Sequence, residues 1–368
     1  MVLHVVALPH VSTNKQQTNL ACAYTQKIVK FCPMMHKVGW EVKLYGTTDN
    51  ETPCDEFVSC LSQERRDAIL GDQEWYQKGE VYGVDWEPTH QLWQEFNANV
   101  CAEMHKRIRP DDLILFITGR SAASIMDAFP LHRKCEFGIG YEGVMPKTHH
   151  VYESYAWQAS MWAYEQGTPA GADGRYFDAV IPNYFELNDF PVNEGKRDTY
   201  FLFMNRMTVR KGYQEAIQAC EFAKSRLLIA GIGGDEVVSK RVKHVGFADT
   251  VKRGELLSNA RAVFMPTQYL EPFGGVAVEA MLCGTPVITS DWGAFPENVR
   301  QGVDGFRCHT MAEYIKAMRG VVNLDHAEIA AHARARWSTE TVGKQYDNYF
   351  KRLATLSGEG FYAGVRVE

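Results

Sequence analysis

The chain has no run of 18 apolar residues, no Cys-x-x-Cys pair, no excess of positive charge, no internal repeat and no low-complexity tract. Each absence excludes something. Without a long apolar run no segment reads as a membrane span, and no stable membrane insertion is expected. The nine cysteines are scattered and form no zinc-like cluster with histidine, as in a reduced cytoplasmic protein. A net charge of −6 gives no global attraction to nucleic acid or anionic membrane. The opening residues, MVLHVVALPH, carry no basic leader, and their apolar run is too short for a signal peptide, so a cytoplasmic location is expected. What is present is the balance of a soluble globular protein, 45% hydrophobic and 23% charged, over 368 residues. That length accommodates two domains of ordinary size.

Both halves alternate strand and helix patterns. Leu3–Leu8 is long enough for one buried strand. Leu20, Tyr24, Ile28, Phe31, Cys32 and Met35 follow at helical spacing up to Gly39, and Glu41–Tyr45 reads as a second strand. Pro33 predicts a kink or a break in that helix. Leu113–Thr118, Phe137–Tyr141 and Ala179–Pro182 continue the strand series, which predicts an open α/β sheet. Residues 46–110 suggest no role. In the second half, Tyr200–Met204, "RLLIAGIGG" (226–234), "AVFMPT" (262–267) and "TPVITS" (285–290) predict a second doubly wound domain. The polar patch 192–198 is the expected linker. The expected domains are therefore 1–192 and 193–340.

The chemistry concentrates in "EPFGGVAVEAMLCGTPVITSDWGAFPEN" (271–298). Pro272 and the Gly274-Gly275 pair end a strand, and Val276–Cys283 has helical composition that stops at Gly284 and Pro286. Glu271 thus precedes a helix and Glu279 sits about one turn inside it. Free backbone N–H groups at that helix start, from Phe273 through Gly274, Gly275 and Val276, attract an anion, and the glycines let it approach closely. Carboxylates before and after the anion can grip hydroxyls on either side. That layout suits a sugar nucleotide: sugar, diphosphate, ribose. Arg206 and Lys211, five apart in "NRMTVRKG", can aim at the same diphosphate, one with bidentate geometry and one as a point charge. Arg210 is a further cation. Gly231 and Gly233 follow another strand and are either donor-binding backbone or a plain turn.

These segments, with "GVDGF" after them, resemble the C-terminal domain of the retaining family-4 glycosyltransferases of GT-B fold. The likeness is strong over about 200–310 and beyond that rests on strand–helix order. The resemblance implies two Rossmann-like domains facing a cleft and a final helix, in the region 341–368, that returns to the acceptor domain. It implies that Glu271 contacts the transferred sugar, Glu279 the ribose, and Arg206 and Lys211 the diphosphate. Nucleotide-sugar transferases of the other large fold usually carry Asp-x-Asp for a metal. This chain has none, so no metal and no cofactor are expected, with fixed cations supporting the leaving group. The family's glycine pair after the first strand is missing here. Ser12, Thr13 and Asn14 stand in that loop as candidate hydrogen-bond donors.

Alternatives remain open on sequence. A nucleotide-sugar epimerase of the same fold would need acid/base groups around the sugar. A non-catalytic sugar-nucleotide or glycan binder would have little need for a Glu-Arg-Lys grip. The acceptor can be a glycan, lipid-linked sugar, protein, small molecule or modified nucleic-acid base. His149 and His150 read as exposed loop residues or, for His150, an acceptor-side group. Tyr152, Tyr155, Trp157, Trp162 and Tyr164 read as core or as a sugar-stacking stripe. Asp111-Asp112 is acidic enough for a metal but precedes a strand, and so reads rather as a turn.

Overall fold

A computed structural model describes residues 1–14, 22–71, 85–146, 148–167, 174–175, 177–193, 195, 197–233 and 239–354. The chain forms two compact units, each built on one all-parallel sheet. The first comprises 1–153, 161–182 and the chain from 342 on. The second comprises 154–160 and 183–341. Among the described residues no helix is long and apolar enough to cross a membrane.

The first sheet contains β1 (Val2–Val6), β2 (Glu41–Thr47), β3 (Glu56–Leu61), β4 (Leu113–Phe116), β5 (Arg133–Ile139), β6 (His149–Tyr152) and β7 (Ala179–Val180), in the order β3-β2-β1-β4-β5-β6-β7. The second contains β8 (Tyr200–Met204), β9 (Arg226–Ala230), β10 (Val242–Gly246), β11 (Ala262–Met265), β12 (Val287–Ser290) and β13 (Gly305–Cys308), in the order β10-β9-β8-β11-β12-β13. The doubly wound expectation holds for both units. The strands found from apolar runs are mostly the central ones, buried on both faces. Edge strands β3, β10 and β13 carry polar residues and have no such run. Interior β6 is disguised by its two histidines.

Pro33 does not split its helix, which runs from Ala23 to Lys37. A proline this near a helix end removes one hydrogen bond, while burial of Ile28, Phe31, Cys32, Met34 and Met35 holds the segment in place. The region 46–110 contributes β3 and the helices Gln63–Leu70 and Gln91–His105, whose Trp93 and Phe96 are fully buried. Trp75, in the aromatic run of that region, lies outside the described residues. The aromatic stripe does not form one face: Tyr152 and Trp157 are buried, but Tyr155 and Tyr164 are exposed. Asp112 does make a turn, accepting from the Arg109 and Val2 amides at 2.9 and 2.7 Å.

The second unit takes up the chain at Asn183, ahead of the polar patch expected as linker. Phe185 and Phe190 are the reason. Both are buried in its core, and the Phe185 amide donates to the Trp337 carbonyl at 2.9 Å. Residues 194 and 196 of that patch lie outside the described residues. The last described helix, Thr339–Ala354, belongs to the first unit from Val342 onward. Its Tyr346 and Phe350 meet Phe31 at 5.3 and 6.2 Å, and Asp347 accepts from Trp40 Nε1 at 2.9 Å. Gly343 lets the helix lie close, since a Cβ there would sit 2.9 Å from Met34 Cγ. Residues 355–368 lie outside the described residues.

Candidate functional site

In the second sheet the chain leaves β8 toward β9 and β10 on one side, then returns to build β11, β12 and β13 on the other. β8 and β11 are parallel neighbours, with Phe201 opposite Ala262. Their following loops diverge at the carboxyl edge, the place where open α/β sheets bind ligands. The loop after β8 carries Arg206, Arg210 and Lys211. The loop after β11 carries Tyr269, Glu271 and Phe273.

Gly212 lets these two loops touch, and Gly231 lets the loop after β9 approach the loop after β8. Gly212 has φ +77°, and a Cβ there would sit 2.0 Å from the Pro266 carbonyl oxygen. Beside it the Gln268 amide donates to the Arg210 carbonyl at 2.9 Å. Gly231 has φ +154° and would place a Cβ 1.9 Å from the Asn205 carbonyl, while Met207 N donates to Ile232 O at 2.9 Å. Gly231 therefore has a packing role whatever it binds. Gly233, at φ +82°, is less crowded.

Both glutamates are buried, each against a cation. Glu271 Oε2 lies 2.9 Å from Lys211 Nζ. Lys211 Nζ also donates to the Tyr269 hydroxyl. Arg210 stands over the Tyr269 ring, 4.9 Å from its centroid, while Lys211 Nζ lies 4.8 Å from the centroid at the hydroxyl end. Burial, and then the charge of Glu271, push the Tyr269 phenol above its ordinary pKa, against the opposing pull of Arg206 and Arg210. The hydroxyl is therefore neutral at any physiological pH. Glu279 Oε2 accepts from Arg253 Nε at 2.7 Å and also from its Nη2. Arg253 stands on the helix Thr250–Asn259.

Between the glutamates the helix Gly275–Leu282 begins at Gly274, φ +79°, with no side-chain cap. A Cβ at Gly274 would sit 2.6 Å from Phe295 Cε1. The loop after β12 buttresses the whole segment. Ala294 N donates to Glu271 O at 2.9 Å, Asn298 Nδ2 to Phe273 O at 2.7 Å, and Trp292 Nε1 to Tyr269 O at 3.1 Å. The arrangement offers three cations, an uncapped helix start and two fixed carboxylates. Such a set can bind a diphosphate flanked by hydroxyl-bearing groups.

Thus Arg206, Lys211, Glu271, Phe273, Gly274, Gly275, Val276 and Glu279 share one unit, with Gly231 and Gly233 on the neighbouring loop. Sequence reasoning missed Tyr269 and Arg253. Tyr269, two residues before Glu271, was within reach of local reading. Arg253 has no local signal.

The weaker candidates lie in the first unit and are occupied internally. Ser12 Oγ donates to Thr48 O at 2.8 Å, Thr13 Oγ1 to Asn50 Oδ1 at 2.6 Å, and Asn14 Nδ2 to Asp49 Oδ2 at 2.8 Å. His149 and His150 are not loop residues but lie in β6. His150 is fully buried, with Nδ1 3.3 Å from Asp178 Oδ2 and Nε2 2.8 Å from Met145 O. A carboxylate partner fits a strand position here that apolar packing alone would not mark.

Arg253 gives the first expected outcome. If Glu279 holds the ribose, as the resemblance implies, Glu279→Ala weakens nucleoside diphosphate binding by about ten- to a hundredfold, as expected when buried hydroxyl partners go unpaired. Arg253→Ala weakens it less, because Glu279 stays in place but loses its anchor. Calorimetry on both variants checks the order. A larger loss from Arg253→Ala contradicts it.

Residues 185–336 match the family model described as glycosyl transferases group 1. A glycogen synthase of Mycobacterium tuberculosis is 33% identical over 184 residues, covering 45% of this chain and 43% of that protein. A D-inositol 3-phosphate glycosyltransferase of Thermobifida fusca is 36% identical over 98 residues, 22% of this chain and 23% of that one. The chain thus spans less than half the length of the curated relatives it matches. Among solved structures, AviGT4, a glycosyltransferase involved in avilamycin A biosynthesis, superposes with TM-score 0.66 at 18% identity, covering 96% of this chain and 98% of that one. HepE of Anabaena in complex with UDP-glucose superposes with TM-score 0.62 at 18% identity, over 95% and 99%. The fold of the chain is the GT-B fold.

Proposed function

We propose that the chain is a glycosyltransferase that moves a sugar from a nucleotide-diphosphate sugar to an acceptor, with retention and without a metal. One observation carries the reading. Two buried carboxylates, each held by a cation, bracket an uncapped helix start beside the switch point of the second sheet. The family match spans this whole constellation, and HepE, of similar fold, was solved with UDP-glucose.

In this reading the diphosphate lies against Arg206, Lys211 and the N–H groups around Gly275. Glu279 accepts from the ribose and Glu271 from the transferred sugar. As the glycosidic bond breaks, negative charge grows on the leaving phosphate, and fixed cations and backbone dipoles stabilise it without reorganising. The missing Asp-x-Asp supports metal independence. For retention the acceptor attacks from the leaving-group side, with a phosphate oxygen taking its proton. The acceptor is left as a hydroxyl- or amine-bearing molecule of open class.

A panel of sugar nucleotides tests this, with and without excess EDTA. The expected result is slow release of nucleoside diphosphate from one or a few members, unchanged by EDTA. Isomerised sugar instead identifies an epimerase. Binding without turnover identifies a non-catalytic binder. Loss in EDTA that metal restores overturns metal independence.

A further inference from the structure

We infer that Tyr269 is a positioning residue for Lys211, holding its ammonium toward the diphosphate without cancelling its charge. This rests on the donor-site reading above and adds a residue to it.

The geometry supports the role in three ways. First, Lys211 Nζ has two partners of different charge, Glu271 Oε2 at 2.9 Å and the Tyr269 hydroxyl. An ammonium has three N–H donors and chooses between partners by charge. Left to Glu271 alone, it would close onto the carboxylate and lose its field at the ligand. A neutral hydroxyl on a second side fixes the direction of the Nζ–H bonds and leaves the charge intact. Second, the Tyr269 side chain meets two cations at once: Arg210 stands 4.9 Å from the ring centroid, where the negative face of the ring favours a cation, and Lys211 meets it at the hydroxyl end. Third, Tyr269 is itself held. Trp292 Nε1 donates to its carbonyl at 3.1 Å, and the preceding amide, Gln268 N, donates to Arg210 O at 2.9 Å. The ring is thus tied to the cationic loop on one side and to the loop after β12 on the other.

A purely packing role would make any ring sufficient. A positioning role makes the hydroxyl matter, and chiefly while Lys211 is present. Tyr269→Phe keeps the ring and removes the hydroxyl. Turnover of the sugar nucleotide hydrolysed fastest in the panel is expected to fall about tenfold, with affinity for that intact sugar nucleotide changed less than about threefold. Tyr269→Leu removes the ring as well and lowers both. In a Lys211→Ala background the loss of turnover from Tyr269→Phe should shrink to about threefold or less, the remainder reporting the hydroxyl's other hydrogen bond, to Glu271.

Acetylation by acetic anhydride, mapped by mass spectrometry, reads the contact without any activity. Lys211 should label about threefold faster in Tyr269→Phe, and lysines outside the site should be unchanged, since one of its hydrogen bonds is lost. Unchanged labelling overturns the inference. So does an equal loss of turnover in the presence and absence of Lys211. Faster labelling in a chain inert toward every sugar nucleotide leaves Tyr269 positioning Lys211 and sinks the transferase reading instead.

Discussion

Lys211→Ala lowers turnover by about a hundredfold or more, while affinity for the intact sugar-nucleotide donor falls far less. The difference follows from charge. In the bound donor the diphosphate is partly neutralised by its bond to the sugar. In the transition state that bond is breaking and the full charge appears, so a fixed ammonium is worth more there than in the ground state. Lys211 is largely shielded from water, its side chain 15% exposed, and there a charge interaction keeps more of its strength than at the surface. Removing it also leaves Glu271 without its ion-pair partner, so a lowered melting temperature accompanies the loss. Arg206→Ala provides the control for that side effect. Arg206 is exposed, and its removal should lower turnover with the fold's stability unchanged. Initial rates beside calorimetry and thermal melting check both variants. An affinity loss equal to or larger than the loss in turnover contradicts the role.

Glu271→Gln has the second large effect, and it is selective. The amide keeps the shape and can still accept from Lys211 through its oxygen, so folding and nucleoside diphosphate binding should change by less than about twofold. Turnover of the donor should fall by about a hundredfold, because the carboxylate that balances Lys211, and that we propose bears on the transferred sugar, has lost its charge. Glu279→Ala gives the opposite pattern, weakening the bare diphosphate and the full donor together. The two glutamates thus separate by ligand: one responds to the sugar, the other to every nucleotide. If Glu271→Gln weakens bare nucleoside diphosphate as much as Glu279→Ala does, the division between sugar and ribose is wrong. If neither variant changes rate or affinity, the donor site lies elsewhere.

Much of the fold could be read before any coordinates. Central strands such as β4, LILF, and β11, AVFM, are covered by helices on both faces and advertise themselves as apolar runs. Edge strand β10, VKHVG, is covered less, keeps exposed Lys243 and His244, and so looks like loop. β6 hides for another reason. Its His150 is buried because Asp178, 28 residues away, is there to receive it. Polarity alone cannot distinguish a solvated histidine from a paired one.

The site divides along the same line. The parts whose meaning is local are legible from spacing: a glutamate before a helix, a glycine pair at its start, a second glutamate one turn in, and two cations around a strand-to-helix turn. Helical periodicity and turn chemistry act over a few residues, so spacing is enough to read them. Which charges meet depends on how the distant segments pack. Lys211 reaches Glu271 across 60 residues because β8 and β11 lie side by side, an adjacency set by strand order. Arg253 reaches Glu279 across 26 because a helix that follows β10 packs against the one that follows β11. Tyr269 acquires its cations, and Ser12, Thr13 and Asn14 spend their side chains on residues 48–50, for the same reason. Buried polar groups must find partners, and the partner available at each position depends on which distant segments the packed core brings alongside.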